Sequence, residues 1–215
     1  LIDLHNHTAP QSWDSLLTPD ELASGAREAG LAGICLTEHD QFWDHQDARD
    51  LGSRHGILVI PGVEITTEGG HLLVFGLESY VFGMHRADFV KTEVDRVGGA
   101  ILAAHPYRRN FHEGDGPWVP PYEEQIMRAQ QNPLLLVADG IETLNGRGSD
   151  QQNRFSADLC RDRGMPATGA SDTHAIKDIA TYATEFERPI ADLQDLITEL
   201  KAGRYQPVDL RNGSG

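Results

Sequence analysis

Short apolar runs alternate along this chain with amphipathic stretches of helical period, which predicts strands separated by helices. Ile2 to Leu4 and Leu31 to Thr37 read as buried strands. Between them, Thr18, Pro19, Asp20 and Glu21 form a helix start: a Thr N-cap, Pro at the first helical position and acids in the first turn. That helix is expected to stop at Gly30. A polar helical stretch from Asp44 to His55 leads to a strand over 56–65. Gly69 and Gly70 then turn the chain into a neighbouring strand over 71–77. A helix over 86–97 precedes a strand at 100–104, ended by Pro106. Residues 107–121 are polar and irregular, which marks a functional loop. Helices over 122–131 and 151–163 lead to the apolar segments that end at Glu142 and Ala170. About seven short strands alternating with helices imply a helix-covered sheet, and favour a closed or partly closed α/β barrel over an open one.

Length and composition narrow the reading. With 215 residues, 39% of them hydrophobic, the chain can build one substantial core. We take 1–207 as a single domain and 208–215, ending in Asn212-Gly-Ser-Gly, as a short tail. A formal charge of −15 argues against an extended nucleic-acid groove or an anionic membrane as partner. No apolar run is long enough to span a bilayer, and the start LIDLHNHT does not read as a signal peptide. Cys35 and Cys160 give no disulfide framework, so a cytoplasmic location is expected. Oligomeric state leaves no trace in the sequence. The ten histidines change the picture, because imidazole and carboxylate together are the donors of metal sites.

Almost every predicted strand ends in such a donor. The first runs into Asp3-Leu-His5-Asn-His7, the second into Glu38-His39-Asp40, and others into Glu64, His105, Glu142 and Asp172-Thr-His174. In parallel α/β barrels the C-terminal strand ends open on one face, so residues distant in sequence converge there. His5 and His7 stand two apart, which puts both imidazoles on one side of an extended strand. Asp172 and His174 repeat that spacing.

Five motifs, DLHNHT at 3–8, LTEHD at 36–40, PGVEIT at 61–66, AHP at 104–106 and GASDTH at 169–174, resemble in order those of the PHP (polymerase and histidinol phosphatase) superfamily. The resemblance covers residues 2 to about 186 and is similar to the short stand-alone members. It implies a distorted (β/α)7 barrel carrying two or three divalent ions. It also implies which residues hold them. His5, His7, Glu64 and Asp172 would take the first ion. Glu64 would bridge to a second, on His71 and His105. His39, His174 and Asp14 would hold a third. Mixed imidazole–carboxylate shells suit Zn, Mn or Fe.

The implied activity is hydrolysis of a phosphoester in a small, nucleotide-like molecule, with Glu64, Asp172 and His174 as catalytic residues and a metal-bound hydroxide attacking phosphorus. Arg108, Arg109 and Arg147 are candidate phosphate-binding residues, since arginine grips phosphate bidentately. Alternatives are a histidinol-phosphate phosphatase, hydrolysis of a non-phosphate bond, or a non-catalytic metal-binding scaffold. Glu38, Asp40 and Glu142 are expected either to orient ligands or to serve structure. His45, His55, His85 and His112 read as ordinary histidines, with His112 a loop candidate for substrate contact. Cys35 reads as a core residue. Trp13, Trp43 and Trp118 lie in predicted rim loops, available for packing or for stacking on a ring. Loops 9–17, 107–121 and 145–151 would carry specificity.

Overall fold

The computed structural model describes residues 1–211. Its first half is built from β1 (Ile2–Asp3), α1 (Pro19–Glu28), β2 (Gly33–Leu36), α2 (His45–His55) and β3 (Leu58–Pro61). The three strands are parallel, and the intervening helices supply the crossovers that parallel pairing needs. Helix α1 starts as the sequence predicts. Thr18 Oγ1 accepts from the Glu21 N–H, and Glu21 accepts from the Thr18 N–H in return, a capping box. Leu22, Ala23 and Ala26 turn inward, and Gly30 follows the last turn at φ 83°.

The second half contains β4 (Val63–Thr67), β5 (Gly70–Phe75), α3 (Ala87–Val97), β6 (Ala100–Ala104), α4 (Tyr107–Asn110), α5 (Tyr122–Ala129), α6 (Leu134–Val137), β7 (Gly140–Asn145), α7 (Asp150–Arg163) and β8 (Ala167–Ala170). After a 3-10 turn at Ile176–Asp178 come β9 (Tyr182–Phe186), α8 (Leu193–Ala202) and β10 (Tyr205–Asp209). The strands form two five-stranded sheets, ordered β10-β9-β1-β2-β3 and β4-β5-β6-β7-β8.

This differs from the expected (β/α)7 barrel. The strand expected over 56–65 breaks at Gly62, and its two pieces join different sheets. A Cβ on Gly62 would lie 2.8 Å from Phe75 Cε1, so a larger residue could cross over that ring only by displacing it. The tight turn at Gly69 and Gly70 has no room for a crossover helix, so β4 and β5 pair antiparallel; β5 and β6 also pair antiparallel, although α3 lies between them. β9 and β10 return antiparallel beside β1. Among the described residues, two single bridges join the sheets, His39 to Glu64 and Asn6 to Thr173, with no continuous ladder at either seam. The expected irregular loop at 107–121 opens with the helical turn α4. Of the tail expected over 208–215, Val208 and Asp209 pair with β9, and residues 212–215 lie outside the described residues.

Three apolar clusters support this frame. One lies under α1 and α2 around Leu22, Ile34 and Leu51. The largest joins β4 to β7 with α3, α5 and α7 through Val74, Ile101 and Phe155. Between them Leu4, Leu73, Phe75 and Leu102 bind the sheets to α8. Deleting a side chain such as Leu22 costs about 2–5 kcal/mol. Cys35 is fully buried, as expected.

Candidate metal centre

Both single bridges lie in the floor of one cleft. The first sheet delivers His5 and His7 just past β1 and His39 just past β2. The second delivers Glu64 on β4, His71 on β5, His105 past β6, and Asp172 and His174 past β8. Two of these sit in the left-handed backbone region, His105 at φ 26° and Asp172 at φ 52°. Non-glycine residues hold that conformation at a cost of about 1–3 kcal/mol, and do so mostly at functional sites.

Four atoms define the centre. Glu64 Oε2 lies 3.3 Å from His5 Nε2 and 3.2 Å from His7 Nε2, while Asp172 Oδ1 lies 3.6 and 3.4 Å from the same two nitrogens. All four are buried and none completes a well-aligned hydrogen bond, although His39 Nδ1 also approaches Glu64 Oε2 to 2.9 Å. Buried polar atoms without partners are rare and costly. Their spacing has a simple reading: ligand atoms about 2.0–2.1 Å from a tetrahedral ion stand about 3.4 Å from one another. The donor set therefore fits a divalent ion.

Around this group the other ring nitrogens are engaged. His5 Nδ1 donates to Glu142 Oε1 at 2.9 Å. His7 Nδ1 donates to Ser12 Oγ at 3.1 Å, and that hydroxyl donates to Glu38 Oε2 at 2.5 Å. His174 Nδ1 donates to the Asp172 carbonyl at 2.8 Å. Each bond fixes the ring and turns its Nε2 towards the cleft, as metal-ligating histidines are commonly held. Glu64 uses its other oxygen as well, with Oε1 lying 2.6 Å from His71 Nδ1 and 2.8 Å from His105 Nε2. Asp14 Oδ2 lies 3.0 Å from His174 Nε2 and 3.4 Å from His39 Nε2. The residues assigned above to three ions thus share one cleft, where they overlap as groups of donors: His7 lies with His39 and His174 as well as with His5 and Glu64, and His39 lies with Glu64 and His71.

The arginines separate. Arg108 binds the Asp172 carboxylate and places Nη1 3.1 Å from His105 Nε2. Arg147 lines the same cleft, together with Trp13, Asp14, His39, His71, Tyr107, Gln152 and His174, around a volume of about 440 Å³. Arg109 turns away to donate to the Glu68 carbonyl and faces a smaller neighbouring hollow beside Gly69 and Gly70. Sequence reasoning missed Ser12 and Asn145. The Asn145 amide donates to Glu142 Oε2 and Asp172 Oδ2 while its carbonyl oxygen accepts from Tyr107, so it joins three elements beneath the site. Its signal was its place at the end of β7, beside the glycine-flanked Arg147. Glu142 accepts from His5 and Glu38 from the Ser12 hydroxyl beside His7, so both are placed to orient those rings. Asp40 instead accepts from the Thr66 N–H at the seam. His55 pairs with Asp20, away from the cleft.

The PHP domain family model matches residues 3–139, and the PHP-associated model matches residues 150–205. The chain belongs to the PHP domain family. Over 100 residues this PHP domain is 34% identical to the 5'-3' exoribonuclease Rnm of Salmonella typhimurium, a match covering 45% of this chain and 33% of that protein. Over 63 residues it is 33% identical to the PolC-type DNA polymerase III of Oceanobacillus iheyensis, covering 29% of this chain and 4% of the polymerase. The match thus spans a third or less of the length of these relatives. Among solved structures, a two-domain protein of Bacteroides vulgatus containing a predicted PHP-like metal-dependent phosphoesterase superposes with TM-score 0.68 at 22% identity, over 97% of this chain and 64% of that one. An amidohydrolase of Chromobacterium violaceum with bound sulfate superposes with TM-score 0.60 at 20% identity, over 100% and 99% of the two chains. These likenesses show the fold.

The electrostatics of the PHP centre follow from its burial. Desolvation works against charge on His5 and His7, yet the carboxylates facing them prevail. Asp172, Glu64 and Glu142 hold His5 well above its usual value, and Asp172 and Glu64 lift His7 to about 9. Glu64 and Asp172 are held well below theirs, burial notwithstanding, chiefly by His5. The point where the four atoms meet therefore demands positive charge, which protons or a divalent ion can supply. Burial lowers His105 and His174. Burial also raises Asp3, beneath the site, to about 7. Among the described residues, no helix is long and apolar enough to cross a membrane.

Proposed function

We propose that this PHP domain is a metal-dependent phosphoesterase that hydrolyses a small, nucleotide-like phosphorylated molecule. One observation carries the reading: partnerless donor atoms from both sheets converge at metal-ligand spacing beside two arginines. His5, His7, Glu64 and Asp172 would hold one ion; Glu64, His71 and His105 a second; Asp14, His39 and His174 a third. Divalent ions there would bind phosphate oxygens, lower the pKa of water and stabilise attacking and leaving oxygens.

The chain's own groups do the rest. Arg108 and Arg147 would orient the phosphate, and Glu142, Ser12, Glu38 and Asn145 hold the donors in register. Burial of the floor excludes bulk water, which strengthens each of these interactions. A cleft of this size suits a small molecule, and the acidic surface disfavours a long duplex. That one relative is an exoribonuclease supports a nucleotide-like substrate.

The test is phosphate release by Mn- or Zn-loaded protein from adenosine 5'-monophosphate, p-nitrophenyl phosphate and histidinol phosphate, with elemental analysis of the same sample. Release from the nucleotide, with two or three ions bound per chain, is expected. Preference for histidinol phosphate would move the assignment to that phosphatase class. Bound metal without hydrolysis of any of the three would favour a scaffold.

A further inference from the structure

We infer that Trp13 is a preformed stacking platform for the planar ring of the substrate, so that the cleft reads a nucleobase as well as a phosphate. This rests on the phosphoesterase reading and assigns the part of the substrate beyond the phosphate. The indole is 87% exposed, yet the residues around it are fixed. Ser12 is fully buried, donates its N–H to the Thr8 carbonyl at 2.8 Å and its hydroxyl to Glu38. Ser15, also buried, donates to the His7 carbonyl at 2.8 Å, and the Leu16 N–H donates to the His174 carbonyl at 3.0 Å. Asp14, the next residue, reaches His39 and His174.

A large apolar ring is thus held in water by a loop tied to the metal centre at both ends. The other tryptophans are placed differently. Trp43 donates its indole N–H to Glu38 at 3.1 Å, and Trp118, 94% exposed, is not among the walls of this cleft. What would cover Trp13 is indicated by its neighbours: Arg108 and Arg147 line the same cleft and call for an anion. A ligand with a phosphate at one end and a flat ring at the other satisfies both. Stacking on an aromatic side chain is tolerant of base identity, so this platform would recognise a base without choosing among them.

The experiment compares wild type with Trp13→Ala and Trp13→Phe on adenosine 5'-monophosphate and on glycerol phosphate, which has no ring. Stacking of the usual strength predicts that Trp13→Ala lowers the kcat/KM ratio of nucleotide to glycerol phosphate by at least about fivefold, through KM, and that Trp13→Phe restores most of it. Adenosine monophosphate should also quench tryptophan emission in wild type and not in Trp13→Phe. An unchanged ratio in Trp13→Ala, or quenching that persists in Trp13→Phe, overturns the inference. If the wild type hydrolyses neither compound, the phosphoesterase reading falls and the quenching comparison alone decides the platform.

Discussion

His5 and Glu142 meet 2.9 Å apart under the candidate metal centre, and the same carboxylate accepts the His105 N–H at 2.8 Å. One buried acid thus steers two of the proposed ligands without being one. Glu142→Ala should weaken metal binding about 10–100-fold, the usual effect of losing a group that orients a ligand. Chelator competition measures it. Affinity equal to wild type would sink this role for Glu142.

Asp14 stands outside the group of four atoms and touches only His39 and His174 of the proposed ligands. Asp14→Ala should therefore lower the metal count per chain while leaving the deeper ions in place. Elemental analysis beside wild type reads it directly. His5→Ala should instead abolish activity, because it opens the central group; full retention of activity would remove that group from the chemistry.

Arg108 presents its fork to the cleft while bound to Asp172. Arg108→Ala should raise KM for a phosphorylated substrate by about tenfold or more, in line with the loss of a charge-assisted contact. Arg108→Lys should recover only part, since an ammonium cannot hold two oxygens in one plane. Steady-state kinetics of the two variants settle it, and a lysine that restores everything would mean that charge alone matters.

Gly62 lets the chain leave one sheet for the other against the Phe75 ring. Gly62→Ala should cost about 1–3 kcal/mol through overpacking. In urea unfolding the midpoint should fall without a change in slope. A midpoint matching wild type would show that Phe75 can move aside.

Burial raises the Cys160 thiol from 9.0 to about 11. The folded state therefore favours the neutral thiol, and stability from this group is lost as pH rises from 9.0 towards 11. Alkylation of native protein at Cys160 should stay slow at pH 9 and climb towards 11, whereas urea-unfolded protein reacts at the ordinary pH. Native and unfolded rates that coincide at pH 9 would contradict this.

Most of the proposed ligands were legible because an apolar run that ends in a donor marks a strand end; His71, at a strand start, and Asp14, in a loop, followed only from the resemblance. His5, His7, Glu64 and Asp172 stood out as strand-end donors, and their grouping around one ion is what the PHP resemblance implied. Strand direction was less visible. Parallel or antiparallel pairing at β4 and β5 depends on the turn at Gly69 and Gly70, and the break at Gly62 depends on a ring distant in sequence. Ser12 and Asn145 left no periodic signal, since each acts through one hydroxyl or amide placed by tertiary contacts. α8 was a different omission: Leu193, Leu196, Ile197 and Leu200 carry a readable helical period.

The single bridges between His39 and Glu64 and between Asn6 and Thr173 give the centre a second meaning. Neither sheet carries a full complement of donors, so an ion bound by His5, His7, Glu64 and Asp172 would be a rivet through both. Loading would then report that the halves have docked, and a chain misassembled at either seam would be unable to arm itself.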